Sequence, residues 1–178
     1  MTPCSTPSNP VSLLAMVLLA LTLLQTSAAP LKQQTGTFRS PRVRESSGVA
    51  VSRAHPGILW THNDSGDRPY LYATDLLGAD RGALLVAGAR ALDWEDIALG
   101  PCPTRYGRAG LTCLYLADTG DNLERRGHAQ LYAVPEPDPP VSAADTQRTT
   151  AAADFVHVRY PDGPRDVEAI YVSLQDSA

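Results

Sequence analysis

The 178-residue chain carries 19 acidic and 15 basic side chains, a formal net charge of −4. That mild acidity argues against a nucleic-acid partner, which usually needs a basic stripe. With four histidines and three cysteines, none of them in Cys/His ligand spacing, the chain also lacks a soft-metal cluster.

Residues 1–29 read as a targeting segment rather than fold. Val11 to Gln25 is an apolar run of signal-peptide length, followed by the small residues Thr26-Ser27-Ala28-Ala29. It is shorter than the roughly 20 residues that span a bilayer. No Lys or Arg precedes Lys32, so the alternative is an uncleaved N-terminal membrane anchor. Secretion is the expectation, with no membrane span in the mature chain. Residues 30–44, polar with scattered basic residues, read as a flexible lead-in. Residues 45–178 are expected to form one domain.

From Glu45 the pattern is short strands separated by turn residues. Strands are predicted at Val49–Ser52, Ile58–His62, Tyr70–Ala73, Ala83–Ala87, Ile97–Leu99, Cys113–Ala117, Leu131–Val134, Phe155–Tyr160 and Ala169–Ser173. No apolar period of 3.6 residues is sustained beyond the first segment, so the fold class is all-β.

Two repeats organise these strands. Leu59-Trp60-Thr61-His62-Asn63-Asp64-Ser65-Gly66-Asp67 is echoed by Leu114-Tyr115-Leu116-Ala117-Asp118-Thr119-Gly120-Asp121-Asn122, and Leu71-Tyr72-Ala73 by Leu131-Tyr132-Ala133. Glu45-Ser46-Ser47-Gly48-Val49, Asp93-Trp94-Glu95-Asp96-Ile97 and Asp166-Val167-Glu168-Ala169-Ile170 align without gaps. Residues two apart on a strand share a face, so Asp93 with Glu95, and Asp166 with Glu168, would point the same way. Grouped in fours, the strands read as β-propeller blades: two, plus the first strand of a third. A closed propeller needs about 4–8 blades, so the domain reads as a partial, truncated propeller.

Cys102 and Cys113 flank a loop between two strands, and export favours a disulfide between them. The stiff run Pro135-Glu136-Pro137-Asp138-Pro139-Pro140 accounts for the longer third spacing.

The carboxylates carry the functional signal. Asp64, Asp93, Glu95, Asp118, Asp121, Asp166 and Glu168 fall at strand ends in repeat-related positions. Converging carboxylates repel one another unless a cation neutralises them, and hard oxygen donors without His or Cys suit Ca²⁺. His62, Asn63, Trp94 and Asn122 are the accompanying candidates for ligand binding. The plainer alternative is turn chemistry, because Asp-Ser-Gly-Asp and Asp-Thr-Gly-Asp close loops by Asx turns. The same triplets occur in aspartic proteases, where two carboxylates share a proton. Here Asp67 and Asp121 follow the triplets and add a charge that opposes that chemistry.

Glu45 to Gly48, Leu59 to Gly66, Asp93 to Ala98 and Ala117 to Asn122 together resemble a group of secreted bacterial proteins without an assigned activity. That group is expected to form six-bladed propellers loosely similar to NHL-repeat, TolB-like and gluconolactonase-like folds. The resemblance implies a propeller, export and an acidic central funnel. In gluconolactonase-like relatives a central Ca²⁺ supports ester or lactone hydrolysis, but their ligands do not match this chain residue by residue. The expected function is a secreted ligand- or partner-binding module, for a small molecule or protein, with Ca²⁺ on its acidic axial face. One alternative is a Ca²⁺-dependent hydrolase of esters, lactones or phosphoesters. The other is a structural surface-interaction protein without metal.

Overall fold

The computed structural model describes residues 33–106 and 110–173. The chain divides into two compact units, residues 1–34 and 35–178. Of the first, only Gln33 and Gln34 are described, and the expected signal peptide lies outside the described residues. Among the described residues the second unit is all-β, with one 3₁₀ turn at Thr104–Tyr106 and eight strands. They are β1 (Ser46–Val51), β2 (Ile58–Asn63), β3 (Tyr70–Asp75), β4 (Asp80–Leu85), β5 (Trp94–Pro101), β6 (Thr112–Asp118), β7 (Ala129–Pro135) and β8 (Asp154–Val158). They form two four-stranded antiparallel meanders, β1-β2-β3-β4 and β5-β6-β7-β8. Eight of the nine predicted strands therefore exist, with ends shifted by a few residues.

The ninth does not form. Residues 164–173 have no ladder partner among the described residues, and a strand without a partner is not a strand. The segment is instead pinned to the second sheet. Val167 N–H donates to Thr119 O (3.3 Å), Ile170 N–H to Asp96 Oδ2 (2.9 Å), and Thr119 Oγ1 donates to Val167 O (2.6 Å).

One core lies between the sheets. Trp60, Leu71, Ala73, Leu84 and Val86 from the first pack with Trp94, Ile97, Leu114, Leu116, Tyr132 and Val134 from the second. Each large apolar side chain so buried stabilises by about 1.5–3 kcal/mol. The two sheets come into tight contact at Gly48 on β1. A Cβ there would overlap the backbone and carboxylate of Asp96 on β5, so a larger residue would push the sheets apart.

The proline-rich connector does more than span a gap. After Pro140 it returns to the first sheet and runs along the outer edge of β4. Ala83 N–H donates to Asp145 O (3.1 Å), Leu85 N–H to Arg148 O (3.0 Å) and Thr150 N–H to Leu85 O (3.0 Å), with a parallel bridge between Leu85 and Thr149. An edge strand left bare is a template for aggregation; here the chain covers its own. At the connector's start, Glu136 ties both sheets together. Its Oε1 accepts from Ser52 Oγ and Trp60 Nε1, and its Oε2 from Thr112 Oγ1. The expected disulfide joins Cys102 and Cys113 beside this point. Among the described residues no helix is long and apolar enough to cross a membrane.

Candidate metal centre

The ladder registers correct the alignment of the two acidic turns. Ser46 on β1 faces Asn63, and its repeat equivalent Trp94 on β5 faces Asp118. The residue equivalent to Asp118 is therefore Asn63, not Asp64. The two side chains do the same work. Asn63 Oδ1 accepts the backbone N–H groups of Arg44 (2.9 Å) and Glu45 (3.2 Å), and Asp118 Oδ1 accepts that of Asp93 (3.0 Å). Each fastens the residues leading into its sheet's first strand.

Asp118 is fully buried, and the guanidinium of Arg126 donates to its Oδ1 at 2.9 Å. Burial pushes its pKa up; Arg126 and the backbone donors oppose that shift. Arg126 also donates to Gly120 O at 2.7 Å, so one side chain holds both ends of the Asp118–Gly120 turn. Nothing local in the sequence singles out Arg126, since a basic residue a few positions past a turn is commonplace.

Asp121 is likewise engaged. Its carboxylate accepts the N–H groups of Arg125 (2.9 Å) and Arg126 (2.6 Å). Desolvation works against its charge, but these donors and the nearby guanidinium groups outweigh it and hold the pKa below the ordinary value. In the first repeat, Asp67 accepts from Asn63 Nδ2 and Tyr72 Oη, both at 2.7 Å. Turn chemistry thus accounts for Asp118, Asp121 and Asp67.

Other carboxylates do converge. Asp64, Asp93 and Glu95 each offer a ligand oxygen, these atoms lying within 4.8 Å of one another, and so do Glu95, Asp166 and Glu168. Glu95 belongs to both groups. It projects from the start of β5, 3% exposed, with Ser47 Oγ 3.4 Å from its Oε2. Gly120 lies directly against Asp93 and Glu95, where a Cβ would collide with both carboxylates. Asp166 enters because its Oδ1 accepts the N–H of Asp121 at 2.8 Å. Glu168 brings a carboxylate oxygen to the same group as Glu95 and Asp166.

This crowding changes the titration of the group. Burial, the Glu168 hydrogen bond and the charges of Asp64, Glu168 and Asp93 push Glu95 up to about 7. Asp93 is raised mainly by desolvation and by Asp64, while Arg126 and a hydrogen bond from Asn122 pull it back.

His62 and Trp94 lie in the core beneath. Their rings meet edge to face at 5.5 Å. Nδ1–H of His62 donates to Asn63 O at 2.9 Å, Nε2 is buried without a hydrogen-bond partner, and burial lowers the pKa. Trp94 is 1% exposed and donates from Nε1 to Arg90 O at 2.9 Å. The structure thus brings together Asp64, Asp93, Glu95, Asp166 and Glu168, and places Asp118, Asp121, His62, Asn63 and Trp94 in supporting or packing positions. Asp64 groups with Asp93 and Glu95, whereas Asp118 is held by the N–H of Asp93 and by Arg126.

No protein-family model, no curated protein and no solved structure matches this chain.

Proposed function

We propose that the protein is a secreted binding module of β-propeller type that holds a divalent cation, Ca²⁺, between Asp64, Asp93, Glu95, Asp166 and Glu168. The observation that carries this reading is the position of Glu95, a buried carboxylate shared by two groups of acidic oxygens. Anions so close are stable together only with a proton or a cation among them. Oxygen donors alone, on three separate stretches of chain, suit a large hard ion that accepts irregular geometry. The two consecutive four-stranded meanders, with residues 166–172 against the second, support the propeller reading. The Cys102–Cys113 disulfide is compatible with an oxidising, extracellular setting.

The test is thermal unfolding of the full chain with Ca²⁺ and with chelator. A ligand of the folded state alone stabilises by about 2.7 kcal/mol at a hundredfold excess over Kd. A rise in the midpoint with Ca²⁺ that chelator reverses supports the site; a midpoint indifferent to both sinks it.

A second reading is a Ca²⁺-dependent hydrolase of esters, lactones or phosphoesters, in which a cation held at Glu95 would polarise the substrate; the convergence of the two acidic groups on Glu95 favours it. Ca²⁺-dependent turnover of such substrates, abolished in Glu95→Gln, would distinguish it from binding alone.

A further inference from the structure

A cleft of about 510 Å³ opens on the far side of Arg126, bounded by Arg90, Arg126, His128, Gln130, Tyr132 and Phe155. Its size falls within the range of small-molecule sites. Its chemistry is opposite to that of the chain as a whole: acids outnumber bases in the sequence, yet no carboxylate lines this cleft.

The aromatic wall follows from register. Gln130 pairs with His157 and Tyr132 with Phe155 across β7 and β8, so these four side chains share one face of the sheet. The rings of Tyr132 and Phe155 lie 6.0 Å apart, those of Phe155 and His157 5.4 Å, and those of His128 and His157 4.1 Å. The polar atoms between them are already fixed. Tyr132 Oη donates to Gln130 Oε1 at 2.6 Å and accepts the N–H of Arg90 at 3.2 Å, and Gln130 Nε2 meets His157 Nε2 at 2.9 Å. Phe155 nevertheless stays 48% exposed. The wall is an ordered stacking surface on which Phe155 remains open to solvent.

Two guanidinium groups stand at its rim. Arg90 is exposed, on the segment joining the sheets. Arg126 uses Nη1 for Asp118 and Gly120. Guanidinium groups pair with planar carboxylates through parallel hydrogen bonds, and aromatic rings stack on rings in offset or tilted contact.

We propose that this cleft binds an aromatic carboxylate, its ring against Phe155 and His128 and its carboxylate between Arg90 and Arg126. The cleft shares no lining residue with the acidic cluster.

The experiment is an NMR titration of the full chain with benzoate in buffer containing chelator, with acetate and benzyl alcohol as controls. Benzoate should bind saturably, and each control at least tenfold more weakly, because each lacks one half of the recognition. Arg90→Met keeps the aliphatic stem at an exposed position, and should weaken benzoate at least tenfold without moving the thermal midpoint. Phe155→Ser should weaken benzoate and leave acetate unchanged. Failure of benzoate to bind the folded chain would overturn the proposal. So would equal affinity for benzoate and benzyl alcohol, or wild-type affinity in Arg90→Met.

Discussion

The indole Nε1–H of Trp60 donates to Oε1 of Glu136 at 3.1 Å, joining a core residue of the first sheet to the exit of the second across 76 positions of sequence. Glu136 also accepts from Ser52 and Thr112, so one half-buried carboxylate satisfies donors from both sheets. Glu136→Ala leaves them unpaired, and hydrogen bonds to a charged group are worth about 1.5–3 kcal/mol each. The expected loss of stability is about 2–4 kcal/mol by urea unfolding, with Glu136→Gln losing less. Desolvation raises the pKa of Glu136, but its donors outweigh that and hold it below the ordinary value. Its contribution is therefore present above the unfolded pKa and lost as pH falls through the lower folded one. Wild type should lose stability on acidification over that range, and Glu136→Ala should lose less. Equal acid sensitivity of the two proteins would show that Glu136 does not couple the sheets.

Glu95 has the opposite sign. Its folded pKa is raised to about 7 from 4.5, so the folded state holds a proton that the unfolded state has released. Stability should fall as pH rises from about 4.5 to 7 and level off above that. A cation in the cluster replaces the proton and removes the dependence. Without Ca²⁺ the melting midpoint should decline between pH 5 and 7.5, and with saturating Ca²⁺ it should stay level. Glu95→Gln should raise the midpoint at pH 7.5 in chelator and abolish the response to Ca²⁺. A Glu95→Gln protein that still responds to Ca²⁺ would place the ion elsewhere.

Asp118 provides the matching control. Its Oδ1 accepts the N–H of Asp93, which an amide oxygen can also do, as Asn63 does at the equivalent point of the first sheet. Asp118→Asn should therefore cost no more than about 1 kcal/mol, while Asp118→Ala, which strands the N–H of Asp93 and the guanidinium of Arg126, should cost about 2–3 kcal/mol. Both should keep the Ca²⁺-induced rise in midpoint. Loss of that rise in Asp118→Asn would return Asp118 to the set of ligands.

Much of this architecture was legible in the sequence because it repeats. Alternating apolar residues and turn signals placed eight strands in two sets of four, and the shared frame of Glu45, Asp93 and Asp166 marked the residues that lead into each sheet. Of the seven carboxylates the sequence singled out, five converge and two, Asp118 and Asp121, are engaged in the turn. Aligning Asp64 with Asp118 matches identical letters, whereas the β1–β2 and β5–β6 ladders match Asn63 with Asp118. A shift of one residue turns a strand side chain to the other face, so one aspartate joins the cluster and the other fastens a backbone. The roles of Arg126 and Glu136 depend on pairings between distant segments, which no local pattern records. Residues 169–173 failed as a strand for the same reason: an apolar, β-branched run specifies a strand only where a partner lies beside it.

The connector's path along β4 carries a last consequence. Gly82 in β4 has φ +113°, and Pro140, Ser142 and Asp145 crowd the place where its Cβ would be. Arg42 reaches Asp80 (3.2 Å) and Ala143 O (3.0 Å) on the same edge. This edge is therefore covered by the backbone of residues 145–150 and by a side-chain clasp beside it. Replacing residues 141–149 with a Gly/Ser linker of equal length keeps the reach to β8 but removes the Asp145 and Arg148 side chains that hold this backbone in place. The exposed N–H and C=O groups of β4 then become available to another chain. The expected outcome is concentration-dependent association by light scattering, with thioflavin-positive material at high protein concentration, and little change in the near-ultraviolet signal of Trp60 and Trp94. Gly82→Val should act in the same direction by displacing the connector. If the linker variant stays monomeric at concentrations where it is folded, the connector is only a tether, and the edge of β4 is protected by some other means.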